Sequence, residues 1–169
     1  MADYFKTITD DQADLIRNAP LFFIASADPM LESGPHDIGP VNLSPKGGVP
    51  LHIIDRNRVA YLDYTGSGNE TARHGMAGGP ITVMICSFEQ ENAAVVRLYG
   101  KATITPITDS PLRELLLDSR ANEIALPERQ VIDIDVGSTV TSCGYGVPVI
   151  SDSRDRKVVD RGRRYKDRK

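Results

Sequence analysis

The amino-acid sequence predicts an α+β protein built around a small antiparallel β-barrel. Two observations predict this class: seven short runs rich in Val, Ile, Thr and Tyr with turn residues between them, and the lack of a regular β-α-β alternation. With 169 residues, 40% hydrophobic and 25% charged, the chain fits one globular domain with its own core. We expect that domain over residues 1–150 and a basic, helical tail over residues 151–169.

The strands are predicted from their β-branched and aromatic content and from the turns between them. Val131-Ile-Asp-Ile-Asp-Val alternates apolar and acidic residues, so that strand is expected to be half exposed. The predicted strands are Leu21–Ala27, Pro40–Leu43, Leu51–Ile54, Val59–Tyr64, Ile81–Phe88, Val95–Ile107 and Gln130–Val140.

Three helices are predicted from their end signals. Thr9 with Gln12 three residues later has the capping-box spacing, so a helix is expected over Asp10–Asn18, with Pro20 after its end. A second helix is expected over Glu70–Ala77. A third is expected over Ser110–Arg120, where a proline occupies the first turn and its missing N–H costs nothing.

Charge and hydropathy exclude several classes of function. The net charge is -3, yet the tail from residue 151 is basic, and we expect it to dock on an acidic surface. Nucleic-acid binding is the alternative, but the 4 Phe and 6 Tyr fall largely in predicted core strands, which argues against a base-stacking surface. No apolar run approaches the length of a membrane span, and the N-terminus lacks a signal-peptide pattern, so a cytoplasmic location is expected.

Cysteine and histidine spacing argues against a metal site. Cys86 and Cys143 form no CxxC motif, and both are expected to be buried or half-buried thiols. The three histidines share no ligand spacing either. The sequence therefore predicts no bound metal.

The first candidate binding segment is Asn42-Leu-Ser-Pro-Lys-Gly-Gly48. Its amide and hydroxyl side chains can satisfy the donor and acceptor edge of a heterocycle, Lys46 offers a cation, and the glycines let backbone N–H groups approach a ligand. An ordinary loop would use the same residues.

The second candidate is Thr65-Gly-Ser-Gly-Asn-Glu-Thr71, which leads from a strand into a helix. Hydroxyls and unpaired N–H groups there suit a single phosphate, although the segment has neither the Walker A nor the dinucleotide spacing. Arg73 and His74 could add charge. For His74 the favoured interpretation is an ordinary surface residue.

The third candidate is Ser142-Cys-Gly-Tyr-Gly-Val-Pro148. Two glycines around Tyr145 would let the backbone pass close to a flat ligand on which the ring could stack. The alternative is the end of a strand with a core tyrosine. A nucleophilic Cys143 is disfavoured because no acid or base lies near it in sequence.

In this order, the three segments resemble the pyridoxamine 5'-phosphate oxidase-like flavoproteins, the FMN-binding split-barrel family, and most closely a short branch of it. The resemblance spans about residues 21–148 and includes Val41-Asn-Leu-Ser-Pro-Lys-Gly, Tyr64-Thr-Gly-Ser-Gly-Asn-Glu-Thr and Thr141-Ser-Cys-Gly-Tyr-Gly. It implies a six-stranded antiparallel split β-barrel with short flanking helices. It also implies a homodimer that holds FMN at the subunit interface.

Carried over residue by residue, the resemblance implies three groups of cofactor-binding residues. The flavin ring and ribityl chain would contact Asn42, Leu43, Ser44, Lys46 and Gly47. The phosphate would contact Thr65, Gly66, Ser67, Gly68, Asn69 and Thr71. The interface or the ring would contact Arg97, Cys143, Gly144 and Tyr145.

The departures from the family narrow the expected function. The true oxidases carry a Ser-Arg-Lys group where this chain has Asn69-Glu70-Thr71, and they end in a Trp-containing segment, whereas this chain has 0 Trp. We therefore expect an FMN-dependent oxidoreductase acting on a small molecule other than pyridoxamine phosphate. The alternatives are a non-catalytic flavin-binding or sensor module, and a split barrel that binds haem or a deazaflavin.

Overall fold

A computed structural model of the protein describes residues 2–66, 68–118, 127–152 and 154. The helices in these ranges are α1 (Asp10–Asn18), α2 (Glu70–Met76) and α3 (Arg113–Asp118). The strands are β1 (Ala2–Phe5), β2 (Leu21–Ala27), β3 (Val41–Gly47), β4 (His52–Asp55), β5 (Arg58–Tyr64), β6 (Pro80–Cys86), β7 (Ala94–Pro106) and β8 (Glu128–Cys143). The expected tail helix falls almost entirely outside the described residues.

The described strands form one antiparallel sheet in the order β3-β2-β6-β7-β8-β5-β4, and β1 pairs with β8. The two ends of this order, β3 and β4, do not pair with each other, so the barrel is split and not closed. The predicted α+β class and split-barrel architecture are confirmed, with two more strands than the six that the resemblance implies. No helix in the described part of the chain is long and apolar enough to span a bilayer.

The main core lies between the curved sheet and the helices α1 and α2. Alternation fixes which side chains enter it: Phe22, Ile24 and Ser26 of β2 are buried, while the residues between them face outward. A smaller cluster packs Ala60, Leu62, Leu116 and Val131 on the other side of β5 and β8. This cluster covers the face of β8 that its alternating acidic residues predicted to be exposed. The start of β8 is therefore more buried than the sequence predicts.

Helix α1 begins as its sequence signal predicts. The Thr9 hydroxyl accepts from the Gln12 amide N–H at 3.3 Å, and the Gln12 Oε1 accepts from the Thr9 N–H at 3.1 Å. The buried Gln12 side chain also bonds Thr139 and Thr141 of β8. The capping box therefore joins α1 to the sheet as well as satisfying its free N–H groups.

Helix α3 and two strands differ from the sequence prediction: α3 begins at Arg113, after the proline that was expected in its first turn. Strand β1 was not expected, because four residues, three of them exposed, carry too weak an alternation to predict a strand. Strand β3 continues to Gly47, past the predicted end at Leu43. Since β3 is an edge strand, Pro45 removes no N–H that a second neighbouring strand would need.

Candidate functional site

The structure brings the first two predicted segments together at the split of the barrel. The Asn42 Nδ2 of β3 donates to the Thr71 Oγ1 of α2 at 3.1 Å. In the same region the Lys46 Nζ lies 3.1 Å from the Asp63 Oδ1 of β5. The Lys46–Asp63 contact joins β3, at one end of the sheet, to β5 near its other end, and the Asn42–Thr71 contact joins β3 to α2, so the two polar segments lie in one region.

Asp63 is the centre of this polar cluster and is only 7% exposed. Besides Lys46 it accepts from the Arg129 Nη2 at 2.7 Å and from the Gln130 Nε2 at 2.9 Å. Burial by itself raises the pKa of Asp63, but the hydrogen bonds from Arg129 and Gln130 and the charge of Lys46 outweigh it, and the net pKa lies below 3.8. Asp63 is thus a carboxylate at neutral pH and fixes two cations beside it.

The start of β8 holds the second segment in place. The Thr65 N–H donates to the Pro127 carbonyl at 2.9 Å, and the Arg129 Nη2 donates to the Gly68 carbonyl at 3.2 Å. The Gln130 Nε2 donates to the Asn69 Oδ1 at 2.7 Å. Asn69 precedes α2 but makes no side-chain cap to it, because its amide oxygen is taken by Gln130. Ser67 lies outside the described residues.

Sequence reasoning missed Asp63, Arg129 and Gln130. Each lies in a predicted strand or at its border and is more than 60 residues from a partner. A weak signal was present: the polar run Glu128-Arg129-Gln130 opens a strand that is otherwise rich in Val and Ile. Buried polar residues at the end of a strand need partners, and here the partners are one another.

Strand β3 divides the first segment between two faces. Asn42, Ser44 and Lys46 are half-buried and pair in register with Ser26, Ile24 and Phe22, so they face the barrel interior. Leu43 and Gly47 face the opposite way, and Leu43 is 65% exposed. The segment is strand and not the ordinary loop that was the alternative. The residues of this segment that were predicted to contact the flavin therefore lie on two opposite faces of β3.

Buried hydroxyls without a partner line the inward side of this region. Neither the Ser44 Oγ nor the Tyr61 Oη makes a hydrogen bond to a described residue, although both atoms are buried. The Lys46 Nζ lies 5.6 Å from the centre of the Tyr61 ring. A buried hydroxyl left unpaired is costly, so its presence beside a cation fits a site that a polar ligand completes.

The third segment lies at the opposite end of β8 from the contacts that hold the second segment. Gln130 near the start of β8 and Cys143 at its end are separated by about 40 Å of extended strand. Arg97 lies with this distant end, where its Nη1 donates to the Ser142 Oγ at 3.0 Å. Gly144 follows β8 directly, and Tyr145 is 97% exposed, which excludes the alternative of a core tyrosine.

The two thiols differ in environment. Cys86 is buried as expected, and burial raises its pKa. Cys143 is exposed, contrary to the prediction, because it is the last residue of β8 and lies at the end of the sheet. Of the described residues, no group of three or more His, Cys, Asp or Glu is placed to hold a metal ion.

The prediction that His74 is a surface residue is wrong: its side chain is fully buried behind Asn42 and Thr71. Its Nδ1 lies 2.8 Å from the Ser26 Oγ and its Nε2 lies 2.8 Å from the Arg73 Nη2. Since a guanidinium only donates, Nε2 accepts and Nδ1 carries the proton. Arg73 in turn pairs with Asp28 at 3.2 Å, so neither residue presents a free charge.

Lowering the pH from 7 to 5 is expected to destabilise the fold through His74. Burial and the neighbouring Arg73 hold the pKa of His74 below 6.5, so the unfolded chain binds this proton more readily than the folded one. The stabilisation that neutral His74 contributes is fully present above about pH 6.5. Below that pH the free energy of unfolding falls by up to about 1.4 kcal/mol per pH unit. Urea unfolding at both pH values should show a weaker pH dependence for His74→Gln than for wild type. The exposed His36→Gln is the control, and equal slopes for wild type and His74→Gln would contradict this assignment.

Comparisons with known proteins agree with this architecture. No protein-family model matches the sequence. A curated Aspergillus flavus protein, named pyridoxamine 5'-phosphate oxidase family protein ustO, is 31% identical over 152 residues. The match covers 89% of this chain and 57% of the relative, so the chain spans little more than half of that protein's length.

Solved structures share the fold at low sequence identity. A putative pyridoxamine 5'-phosphate oxidase from Lactobacillus delbrueckii has a TM-score of 0.57 at 17% identity, covering 80% of this chain and 94% of that one. HupZ from Group A Streptococcus has a TM-score of 0.57 at 24% identity, covering 76% and 89%. An FMN-binding protein from Syntrophomonas wolfei has a TM-score of 0.55 at 10% identity, covering 84% and 90%. These findings confirm the resemblance that the sequence motifs carry: the chain is a relative of the pyridoxamine 5'-phosphate oxidase-like proteins and has their split-barrel fold.

Proposed function

We propose that the protein is a flavoprotein that binds FMN between two copies of the chain and uses it in an oxidoreductase reaction on a small molecule. The observation that carries the proposal is the convergence of two separate polar segments at the split of the barrel, through Asn42 and Thr71 and through Lys46 and Asp63. The relatives named for pyridoxamine 5'-phosphate oxidase or for FMN support the choice of ligand.

The side chains at this place suit a flavin mononucleotide. Asn42, Ser44 and Lys46 provide an amide, an unpartnered hydroxyl and a cation on one face, which match the polar edge of the ring and the ribityl hydroxyls. The phosphate would be held by hydroxyls and backbone N–H groups of Thr65, Gly66, Gly68, Asn69 and Thr71, to which the sequence adds Ser67 outside the described residues. A bound flavin would supply the redox chemistry that protein side chains lack. Lys46 would face the polar edge of the ring, where its charge would stabilise negative charge on the flavin.

A second copy of the chain is part of the proposal because the third segment lies at the opposite end of β8 from the residues that hold the second segment. The outward face of the sheet carries apolar side chains beside Arg97, an arrangement that suits a subunit interface. Leu43 is 65% exposed, Val41 65%, Tyr4 77% and Tyr99 39%, and the pairing of β1, β2, β3, β6, β7 and β8 places them on this one face. In this proposal Cys143, Gly144 and the exposed Tyr145 are the residues that the partner would contribute to the ring.

The visible absorbance spectrum of the purified protein, before and after FMN is added and the excess removed, tests the cofactor. We expect flavin bands that survive desalting. A colourless protein that retains no added FMN would overturn the proposal, and a Soret band would favour haem. Turnover with a nicotinamide donor would support the oxidoreductase assignment, whereas tight binding without turnover for any donor would favour a non-catalytic flavin-binding module.

Replacing Lys46 with alanine is expected to weaken FMN binding at least about tenfold, because it removes a cation from the inward face of β3 that also carries the unpartnered Ser44 hydroxyl. Fluorescence titration of FMN measures the effect. Arg17→Ala is the control, since it removes an exposed cation on α1 that pairs with Asp14. An unchanged dissociation constant in Lys46→Ala would remove Lys46 from the binding site.

A further inference from the structure

Glu70 lies against the loop that the proposed function assigns to the phosphate. It is the first residue of α2, and its side chain turns back toward the preceding residues. Both carboxylate oxygens of Glu70 occupy the space that a side chain on residue 68 would take. A glycine at position 68 leaves room for this carboxylate, so the loop has a negative charge at its centre.

The cations around the loop are already matched by carboxylates. Lys46 and Arg129 share Asp63, at 3.1 and 2.7 Å. Arg73, one turn further along α2, pairs with Asp28. The two positive charges of Lys46 and Arg129 are therefore balanced by the two negative charges of Asp63 and Glu70. The site therefore has polar donors but no net positive charge.

We propose that Glu70 is a specificity-determining residue that lowers the affinity of the site for a dianionic phosphate. This inference rests on the proposed function, because it takes Gly68 and Asn69, which lie beside the Glu70 carboxylate, as part of the phosphate contact. A carboxylate and a dianion a few ångströms apart repel each other substantially in a partly buried site. As a consequence, the site binds FMN only modestly more tightly than riboflavin, which lacks the phosphate. Most of the affinity for either ligand comes from the flavin ring.

Two substitutions of Glu70 test the proposal, with equilibrium dialysis of FMN and of riboflavin as the measurement. Glu70→Gln keeps the size of the side chain and removes its charge. We expect it to bind FMN about tenfold more tightly, while riboflavin binding changes less than about twofold. Glu70→Lys should increase the preference for FMN further. A merely structural role of Glu70 would change both ligands together.

A matched control removes the same charge elsewhere. Glu91 is exposed in the turn between β6 and β7, at the end of the sheet away from the loop. Glu91→Gln should leave the ratio of the two dissociation constants unchanged, whereas the effect of Glu70→Gln on this ratio should become smaller as salt is added.

The possible failures can be told apart. If wild type binds both flavins and Glu70→Gln leaves their affinity ratio unchanged, or shifts both affinities equally, this inference is overturned and the proposed function stands. If wild type binds neither FMN nor riboflavin, the proposed function is overturned and this inference with it.

Discussion

Replacing Asp63 with asparagine is expected to lower the free energy of unfolding by about 2–3 kcal/mol at pH 7. The change keeps the shape of the side chain but leaves Lys46 and Arg129 without the carboxylate they share. Breaking a buried ion pair by removing one partner costs about 3–5 kcal/mol, and the partial exposure of the cations, 23% for Lys46 and 24% for Arg129, reduces that figure. Urea unfolding measures the difference.

The pH dependence gives the Asp63 prediction a second readout. Because the folded pKa of Asp63 lies below 3.8, its stabilising contribution is fully present above that value and is lost as the pH falls below it. Asp63→Asn should therefore lose less stability than wild type between pH 5 and pH 2. Asp14→Asn is the control, since its pair with Arg17 is exposed and is worth less than about 1 kcal/mol. An Asp63→Asn protein with wild-type stability at pH 7 would contradict the prediction.

Replacing Gly100 with alanine is expected to destabilise the protein by about 2–4 kcal/mol, or to prevent folding. A Cβ on residue 100 would overlap the main-chain oxygen of Asp135 on the neighbouring strand. The register between β7 and β8 shifts at Tyr99 and Gly100, so the two backbones approach closely there. Both strands are paired on either side along much of their length, and the backbone has little freedom to retreat.

Thermal and urea unfolding of Gly100→Ala measure this effect. Gly146→Ala is the matched control, because a Cβ there would meet nothing within 4 Å. We expect the control to unfold like wild type, within about 0.5 kcal/mol. If Gly100→Ala also unfolds like wild type, the close approach of β7 and β8 is not as tight as the structure has it.

Much of the fold follows from local patterns in the sequence. The predicted strands correspond to β2–β8, and α1 begins at its capping box, because alternation and capping are decided by neighbouring residues. Strand β1 escaped prediction because it exists only through its pairing with β8. The burial of His74 was equally hidden, since it depends on Ser26 in a strand 48 residues away.

The candidate site was only partly predictable for the same reason. Asn42 and Thr71 stood in motifs, and the structure adds that they touch. Asp63 stands in an otherwise apolar strand, and its role depends on Arg129 and Gln130, which are 66 and 67 residues away. The spacing of residues along the chain gives no information on contacts between residues so far apart in sequence. A buried carboxylate does, however, require hydrogen-bonding or charged partners, and this requirement indicates that such residues must lie near Asp63.

Because the barrel is split, local unfolding costs less free energy at β3 than elsewhere in the sheet. Strand β3 forms backbone hydrogen bonds with only one of the described strands, its neighbour β2. Its contacts with β5 and α2 are made by side chains, among them Lys46 and Asn42. A separation there breaks individual side-chain contacts and no row of main-chain hydrogen bonds, so local unfolding should begin at this seam. Amide protons of β3 should accordingly exchange with solvent well before those of β7, and the interior can admit a molecule there while the rest of the sheet stays folded.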